Sequence, residues 1–231
     1  MIAWNGRPGR VGLWVLCALA FCAMDGAAAA WTVEVEGVPD GTALDGAVVS
    51  LHSPAASAAV RVGHADVALP GDGFSPRVLP VAAGSTVRFS SDDRRRHALY
   101  AFSPARPFAF PLHDGAAAHA LQFDTPGVVE YGCAIHESMI GYVVVLDTPY
   151  FAKTDARGRA RLDAPDGDYT LQIWHERQPQ GQAPLARAVH VEAGAVTRVD
   201  LPVRPLRKAA PAHETRLRTM RERYRSFQRG G

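Results

Sequence analysis

Four residues of the chain carry side chains of the kind that bind a soft metal ion. Cys133, His136 and Met139 place a thiolate, an imidazole and a thioether in one C-x2-H-x2-M segment, and His97 supplies a second imidazole upstream. Two imidazoles, one thiolate and a weak axial thioether form the trigonal site in which proteins hold copper for electron transfer. Sulfur ligands favour Cu(I) and imidazoles also retain Cu(II), so one set of ligands serves both oxidation states. The spacing therefore predicts a site for one copper ion.

The segments around these residues predict the strands that would bring them together. The ligand segment lies between two β-rich runs, 127–131 and 142–146, and an alternating run, 81–89, precedes His97. Residues at the ends of two neighbouring strands lie close together even when they are far apart in the sequence. We therefore expect the histidine and the ligand segment to lie at one end of a β-sandwich.

This motif in this context resembles the cupredoxin family of blue-copper proteins, and the short ligand segment is most similar to that of amicyanin. The resemblance implies a trigonal plane of His97, Cys133 and His136, with Met139 as a long and weak axial ligand. It also implies that the imidazole edge of His136 reaches the surface and serves as the electron port. One position departs from the family pattern. An Asn commonly follows the first ligand histidine and ties its loop to the cysteine loop, whereas this chain has Ala98.

The resemblance further implies an apolar patch around the electron port. The candidate patch residues are Ala134, Ile135, Met139 and Ile140. Three arginines, residues 94–96, immediately precede the first ligand histidine. Their positive charge either steers an acidic partner or belongs to an ordinary solvated loop, in which Asp92 and Asp93 partly balance it.

The use of cysteine indicates an exported protein with one unpaired thiol. Cys17 and Cys22 lie in an apolar run, 11–24, which follows two arginines and precedes small residues. This pattern is typical of a cleavable signal peptide, here residues 1–30, and an uncleaved anchor is the alternative. The mature chain would carry Cys133 alone into the periplasm, where a free thiol is liable to oxidation. Copper ligation explains why a thiol is present there.

Short alternating segments separated by turns predict an all-β protein with two units. Residues 31–147 are expected to form a cupredoxin Greek-key β-sandwich. Residues 148–203 contain a T-D-x-x-G pattern from Thr154 and a P-x-G-x-Y-x-L pattern from Pro165. These patterns resemble the carboxypeptidase-regulatory-like, or transthyretin-like, β-sandwich. The two units in this order resemble bacterial plastocyanin-like proteins labelled methylamine-utilisation proteins.

The last segment, residues 204–231, is strongly basic. It holds nine Lys or Arg against two Glu, whereas the whole chain has a net charge of +2. Its apolar residues recur at the spacing of one stripe on a helix, and they are Leu217, Met220, Tyr224 and Phe227. Such a helix would pack on its own protein, fray in solvent, or dock on an acidic protein or an anionic membrane surface. Nucleic acid is not an expected partner of an exported chain.

The remaining residues disfavour several classes of enzyme. No His-x-His pair or His-x3-His cluster occurs, although multicopper oxidases and copper nitrite reductases require several such pairs. No Ser-His-Asp or paired-carboxylate constellation stands out. We therefore expect a protein that is not an enzyme.

These observations predict a periplasmic mononuclear blue-copper protein that carries single electrons between two redox proteins. Two alternatives use the same residues. One is a copper-binding module for copper trafficking, storage or sensing, although the exposed Met/His-rich tracts common in such proteins are absent from the sequence. The other is an envelope interaction protein in which copper only stabilises the fold.

Overall fold

The computed structural model describes residues 30–71, 73–113, 118–136, 138–179 and 181–205. The predicted signal peptide lies outside these ranges except for residue 30, and the basic segment lies outside them except for residues 204 and 205. Within them, no helix is both long and apolar enough to cross a membrane.

The described residues form sixteen strands and one short helix, which confirms the all-β class. In chain order the elements are β1 (Trp31–Val38), β2 (Thr42–Ala43), β3 (Val48–His52), α1 (Pro54–Ala58), β4 (His64–Leu69), β5 (Val78–Ala82), β6 (Ser85–Ser91), β7 (Arg96–Ala101), β8 (Phe108–His113), β9 (His119–Phe123), β10 (Gly127–Cys133), β11 (Ile140–Leu146), β12 (Phe151–Lys153), β13 (Arg159–Leu162), β14 (Gly167–Trp174), β15 (Leu185–Val191) and β16 (Val196–Pro202).

Strands β4 to β11 form the first of two β-sandwiches. One sheet has the order β4-β6-β9 and the other β5-β11-β10-β7-β8. Side chains alternate between the two faces of a strand, so Val129, Tyr131 and Cys133 of β10 all point to the same side. All three are buried in the core between the sheets, where Tyr131 meets Phe89 edge to face. The period of two thus directs the Cys133 thiol inward.

The remaining strands form the second sandwich. One sheet has the order β13-β1-β16, with β2 paired to β1, and the other has the order β12-β3-β14-β15. Trp31, Leu51 and Ile173 are among the fully buried side chains of its core. Strand β1 lies between two neighbours in its sheet, and β3 lies between β12 and β14 in the other.

This strand pairing corrects the predicted domain boundary. Residues 31–52 were expected in the first sandwich, but β1 pairs antiparallel with β13 and parallel with β16. Strand β3 likewise pairs with β12 and β14. The first sandwich is therefore inserted between β3 and β12 of the second, and neither predicted range, 31–147 or 148–203, matches one sandwich. An alternating pattern identifies a strand and its buried face, whereas the neighbour of that strand depends on side chains far away in the sequence.

Strand β11 of the first sandwich packs on both of its faces, against its own core on one side and against the second sandwich on the other. Val143 and Val145 face the first core, while Val144 and Leu146 face outward and pack with Trp174 of the second sandwich. Strand β11 is therefore buried on both faces, which explains its continuous apolar sequence. Two polar contacts of other residues support the junction: Lys153 Nζ donates to the Val78 carbonyl at 3.1 Å, and Arg77 pairs with Glu176 at 2.8 Å.

Candidate metal centre

The structure brings three of the four predicted ligands into one group. The Cys133 sulfur lies 3.7 Å from the Nδ1 atom of His97 and 3.7 Å from the Nδ1 atom of His136. The donor atoms of the three residues all lie within 4.8 Å of one another. Among the described residues this is the only group of three or more His, Cys, Asp or Glu donors placed to hold a metal ion.

Pairing of β7 with β10 places the first histidine beside the cysteine. Cys133 is opposite Leu99 in this ladder, and the Ala134 N–H donates to the Ala98 carbonyl at 2.8 Å. This bond continues the ladder into the ligand loop. A backbone carbonyl thus links the two ligand segments at the position where the family pattern has an Asn side chain. The two segments therefore remain hydrogen-bonded to each other although Ala98 stands in place of the Asn.

The loop that carries the other ligands is closed by its own backbone. Cys133 N–H donates to the Met139 carbonyl at 3.2 Å, and Met139 N–H donates to the His136 carbonyl at 3.0 Å. Gly141 follows the loop, and a Cβ atom there would lie 2.5 Å from Cζ of Tyr131. A glycine is needed at this position because the buried Tyr131 ring occupies the space of a side chain. The loop is therefore held at both ends by a packed core.

Met139 is buried in the same core as Cys133, with 1% of its surface exposed. The two side chains also line one small cleft. This burial removes Met139 from the predicted surface patch, and its role as the fourth ligand stays a prediction. Ala134, Ile135 and Ile140 are exposed as the patch requires, and His136 is half-buried.

Asp93 holds the other side of the first histidine. Nε2 of His97 lies 3.0 Å and 3.2 Å from the two Asp93 carboxylate oxygens, and the side chains of His97 and Asp93 are 0% and 8% exposed. The carboxylate also accepts hydrogen bonds from the Ser91 hydroxyl at 2.8 Å and the Arg95 N–H at 3.1 Å. An ionised carboxylate on Nε2 keeps a proton there and leaves Nδ1 free to face the cysteine sulfur.

The pKa of Asp93 reflects this arrangement. Burial acts to raise the pKa, but the hydrogen bonds from Ser91, Arg95 and His97 outweigh burial and hold the pKa below its usual value. From the sequence, Asp93 was expected only to balance part of the charge of the three arginines. The available signal for this contact was a carboxylate four residues before a candidate ligand histidine. The turn that brings Asp93 against His97 was not apparent from the sequence.

The three residues fit a copper ion. Zinc–sulfur and zinc–nitrogen bonds are roughly 2.3 and 2.0–2.1 Å long, and a metal ion with bonds of that length in one plane would separate sulfur from nitrogen by about 3.8 Å. The separations between the Cys133 sulfur and the two Nδ1 atoms are 3.7 Å. A thiol with two imidazoles is also the donor set that copper prefers over harder oxygen ligands. His97, Cys133 and His136 would therefore hold copper with little rearrangement.

Replacing Asp93 by asparagine should weaken metal binding. Asp93→Asn removes the negative charge that orients His97, and we expect the copper affinity to fall about 10- to 100-fold. Competition with a chromophoric Cu(I) chelator would measure the change. Asp92→Asn is the matched control, because it removes the same charge from the neighbouring, exposed aspartate. Equal affinities in the two variants would contradict the orienting role of Asp93.

A second polar arrangement has the residue types of a hydrolase triad. Ser50 Oγ lies 2.8 Å from Nε2 of His52, whose Nδ1 lies 2.8 Å from an Asp147 carboxylate oxygen. Ser50 is only 2% exposed and sits within β3, so no substrate can reach its hydroxyl. These residues therefore connect the second sandwich to the end of β11 and do not form a nucleophilic site.

Three other histidines of the described residues are not part of the group of donor residues. His119 stacks on Phe110 with ring centroids 4.2 Å apart, and His190 pairs with Asp168 on the second sandwich at 2.7 Å. His113 is exposed at the end of β8. None of them joins the group of three donor residues.

Comparisons with known proteins gave matches among solved structures. No protein-family model matches the chain, and no curated protein matches it. A purple cupredoxin from Nitrosopumilus maritimus is 24% identical over 36% of this chain and 99% of that chain, with a TM-score of 0.31. A reduced variant of amicyanin is 26% identical over 44% of this chain and 100% of its own, with a TM-score of 0.33. A copper-containing nitrite reductase from Thermus scotoductus SA-01 is 27% identical over 48% of this chain and 28% of its own, with a TM-score of 0.34. All three TM-scores are below 0.5, so the proposed function rests on the side chains of the site.

Proposed function

We propose that the chain is a mononuclear blue-copper protein that carries single electrons between two redox proteins. The observation that carries this proposal is the position of the Cys133 sulfur, 3.7 Å from a ring nitrogen of each of two histidines. When bound, copper would supply the one-electron Cu(I)/Cu(II) couple. The chain would supply His97, Cys133 and His136 as ligands, with Met139 as the axial thioether.

The way the ligands are held supports electron transfer. His97 is fixed by Asp93, Cys133 by the β7–β10 ladder, and Met139 by the packed core. Ligands that are held in place before the metal changes its charge move little between the two oxidation states. Small rearrangement favours fast electron exchange and does not favour release of the metal. The burial of His97 and Cys133 likewise distinguishes the proposal from copper delivery, which needs ligands within reach of a partner.

The surface around His136 supports partner docking. His136 is half-buried, and the exposed side chains of Ala134 and Ile135 lie beside it in the sequence. Three exposed arginines, residues 94–96, precede the ligand His97. An apolar contact next to a basic segment suits a redox partner with an acidic rim, because opposite charges speed the encounter. The exchange would take place in the periplasm, as the predicted signal peptide implies, and the methylamine-utilisation context is proposed from the sequence patterns alone.

The experiment that tests this proposal is voltammetry of chain 31–231 loaded with copper, combined with optical and EPR spectra. We expect one reversible one-electron wave, an intense thiolate-to-Cu(II) absorption band and a narrow copper hyperfine splitting. His97→Ala should lose the narrow splitting and the reversible wave. Weak tetragonal copper signals without a reversible wave would overturn the proposal, and rapid transfer of copper to a chelating protein would favour trafficking.

A further inference from the structure

An open groove lies at the junction of the two sandwiches, next to the loop that carries Cys133, His136 and Met139. Its volume is about 530 Å³, and one wall is the outer face of β10 and β11 while the other is the loop between β14 and β15. A smaller cleft of about 190 Å³ shares Glu130 and Ile140 with the groove and reaches Cys133 and Met139. The groove is thus continuous with the surface over the candidate metal centre.

The groove has the chemistry that recognises a cationic side chain. The rings of Tyr142 and Trp174 lie on its floor with their centroids 5.1 Å apart. Two carboxylates, Glu130 and Glu176, also line the groove. Glu176 is paired with Arg77, whereas Glu130 is exposed and has no cationic partner among the described residues. Aromatic faces together with an uncompensated carboxylate attract Lys and Arg.

Among the described residues that line the groove, two carboxylates, Glu130 and Glu176, stand against one cation, Arg204. His175 also lines the groove, and burial lowers its pKa, which favours the neutral imidazole. Burial is the main reason that the pKa of Tyr142 is raised to about 12, and the charges of Glu130 and Glu176 also act to raise it. Arg204 is the one cation in the lining, and its Nη2 atom donates to the Glu176 carbonyl at 3.0 Å.

Arg204 also shows where the rest of the chain starts. Its N–H donates to the Arg177 carbonyl at 2.7 Å, and its own carbonyl accepts from Nε of Arg177 at 2.9 Å. These bonds fasten the chain to the groove wall one residue before the described part ends at Pro205. Residues 206–231 therefore begin at the groove and need no linker to reach it.

We propose that residues 206–231 of the same chain occupy this groove. The segment carries eight Lys or Arg against two Glu, whereas the described residues hold seventeen acidic and fifteen basic side chains. Its 26 residues span about 40 Å as a helix and more when extended, so the segment can cover the groove and the adjoining cleft. Attachment at the groove gives it an effective concentration in the millimolar range, which favours self-docking over capture of a separate partner.

The apolar side chains of the segment match the floor of the groove. Leu217, Met220, Tyr224 and Phe227 form the predicted stripe. The floor offers Val128, Ile140, Tyr142 and Trp174. A docked segment would cover the exposed Ile140 and leave Ala134 and Ile135 as the open part of the patch around His136. The proposal does not depend on bound copper.

Photo-cross-linking tests this proposal in chain 31–231. The probe, p-benzoylphenylalanine, replaces Gln182, an exposed residue on the groove wall, and a control chain carries the same probe at Val196, which is exposed on β16. At low micromolar concentration we expect a product of monomer mass in which position 182 is joined to a residue of 206–231. The probe at position 196 should give no such product.

Charge variants of the probe chain test the stated contacts. Glu130→Lys should reduce the yield of the product about tenfold, and so should the combined change Arg216→Glu, Arg218→Glu, Arg221→Glu and Arg223→Glu. Asp168→Lys is the matched control for Glu130→Lys, because Asp168 is exposed on the second sandwich outside the groove, and it should leave the yield unchanged. Absence of the product from position 182 would overturn the proposal. Products only of dimer mass would show that a second copy occupies the groove and would overturn it equally.

Discussion

Cys133→Ser should abolish the intense visible absorption of the copper-loaded protein. The band arises only when a thiolate transfers charge to Cu(II), and a serine hydroxyl does not replace the thiolate as a soft ligand. Cys133 is the single cysteine of the described residues and lies 3.7 Å from both histidine Nδ1 atoms, so no neighbouring thiol can substitute. Absorption spectra of the Cu(II)-loaded wild type and variant would measure the loss.

Thermal unfolding supplies a second measurement on the same variant. A ligand that binds only the folded state raises the melting temperature, so copper should stabilise the wild type much more than Cys133→Ser. Without copper the variant should lose about 1–3 kcal/mol of stability, because a hydroxyl replaces a thiol in a buried position. Ile135→Ala is the matched control, since Ile135 is exposed in the same loop and should keep both the band and the stabilisation. Retention of the band in Cys133→Ser would contradict the assignment of Cys133 as the thiolate ligand.

A fragment of residues 148–205 should not fold. It lacks β1 and β3, each of which lies between two neighbours in its sheet. It also lacks seven of the fifteen buried side chains of the second core, Trp31 and Leu51 among them. Strands deprived of their central neighbours and of half of their core cannot offset the conformational entropy of folding. Circular dichroism should show no cooperative thermal transition for this fragment.

The matched control for this fragment restores the missing strands without the first sandwich. Residues 31–53 joined by two glycines to residues 148–205 should unfold cooperatively. The short joint is possible because the Leu51 N–H donates to the Tyr150 carbonyl at 2.9 Å and the Thr148 hydroxyl donates to the Leu51 carbonyl at 2.6 Å. The two cut ends therefore lie side by side. Cooperative unfolding of 148–205 alone would contradict the inserted arrangement and support the predicted boundary at residue 147.

The sequence was most informative where the spacing is short and the side chains are chemically rare. Cys133, His136 and Met139 lie in one loop, so their types and spacing already limited the metal to one that accepts sulfur and nitrogen. The β-rich runs 127–131 and 142–146 likewise predicted strands on either side of the loop. Both inferences depend on neighbours in the sequence, which is why they needed no tertiary information.

The sequence was least informative about contacts between distant segments. Strand β1 alternates as clearly as a strand of the first sandwich would, and only its pairing with β13 and β16 assigns it to the second. The predicted patch failed at Met139 for a related reason. A methionine next to a surface loop is equally compatible with an exposed patch and with a buried axial position until the core is assembled.

The amino-acid sequence by itself determined the all-β class, a set of sulfur and nitrogen donors in one loop, and the position of Cys133 as the one cysteine outside the predicted signal peptide. The tertiary structure decided which strands pair, that one sandwich is inserted in the other, and that Asp93 orients His97 from the side away from Cys133. The physical reason is the range of each interaction. Strand propensity and ligand chemistry are properties of a residue and its near neighbours, whereas strand order, burial of Met139 and the Asp93–His97 contact arise only when distant segments compete for one core.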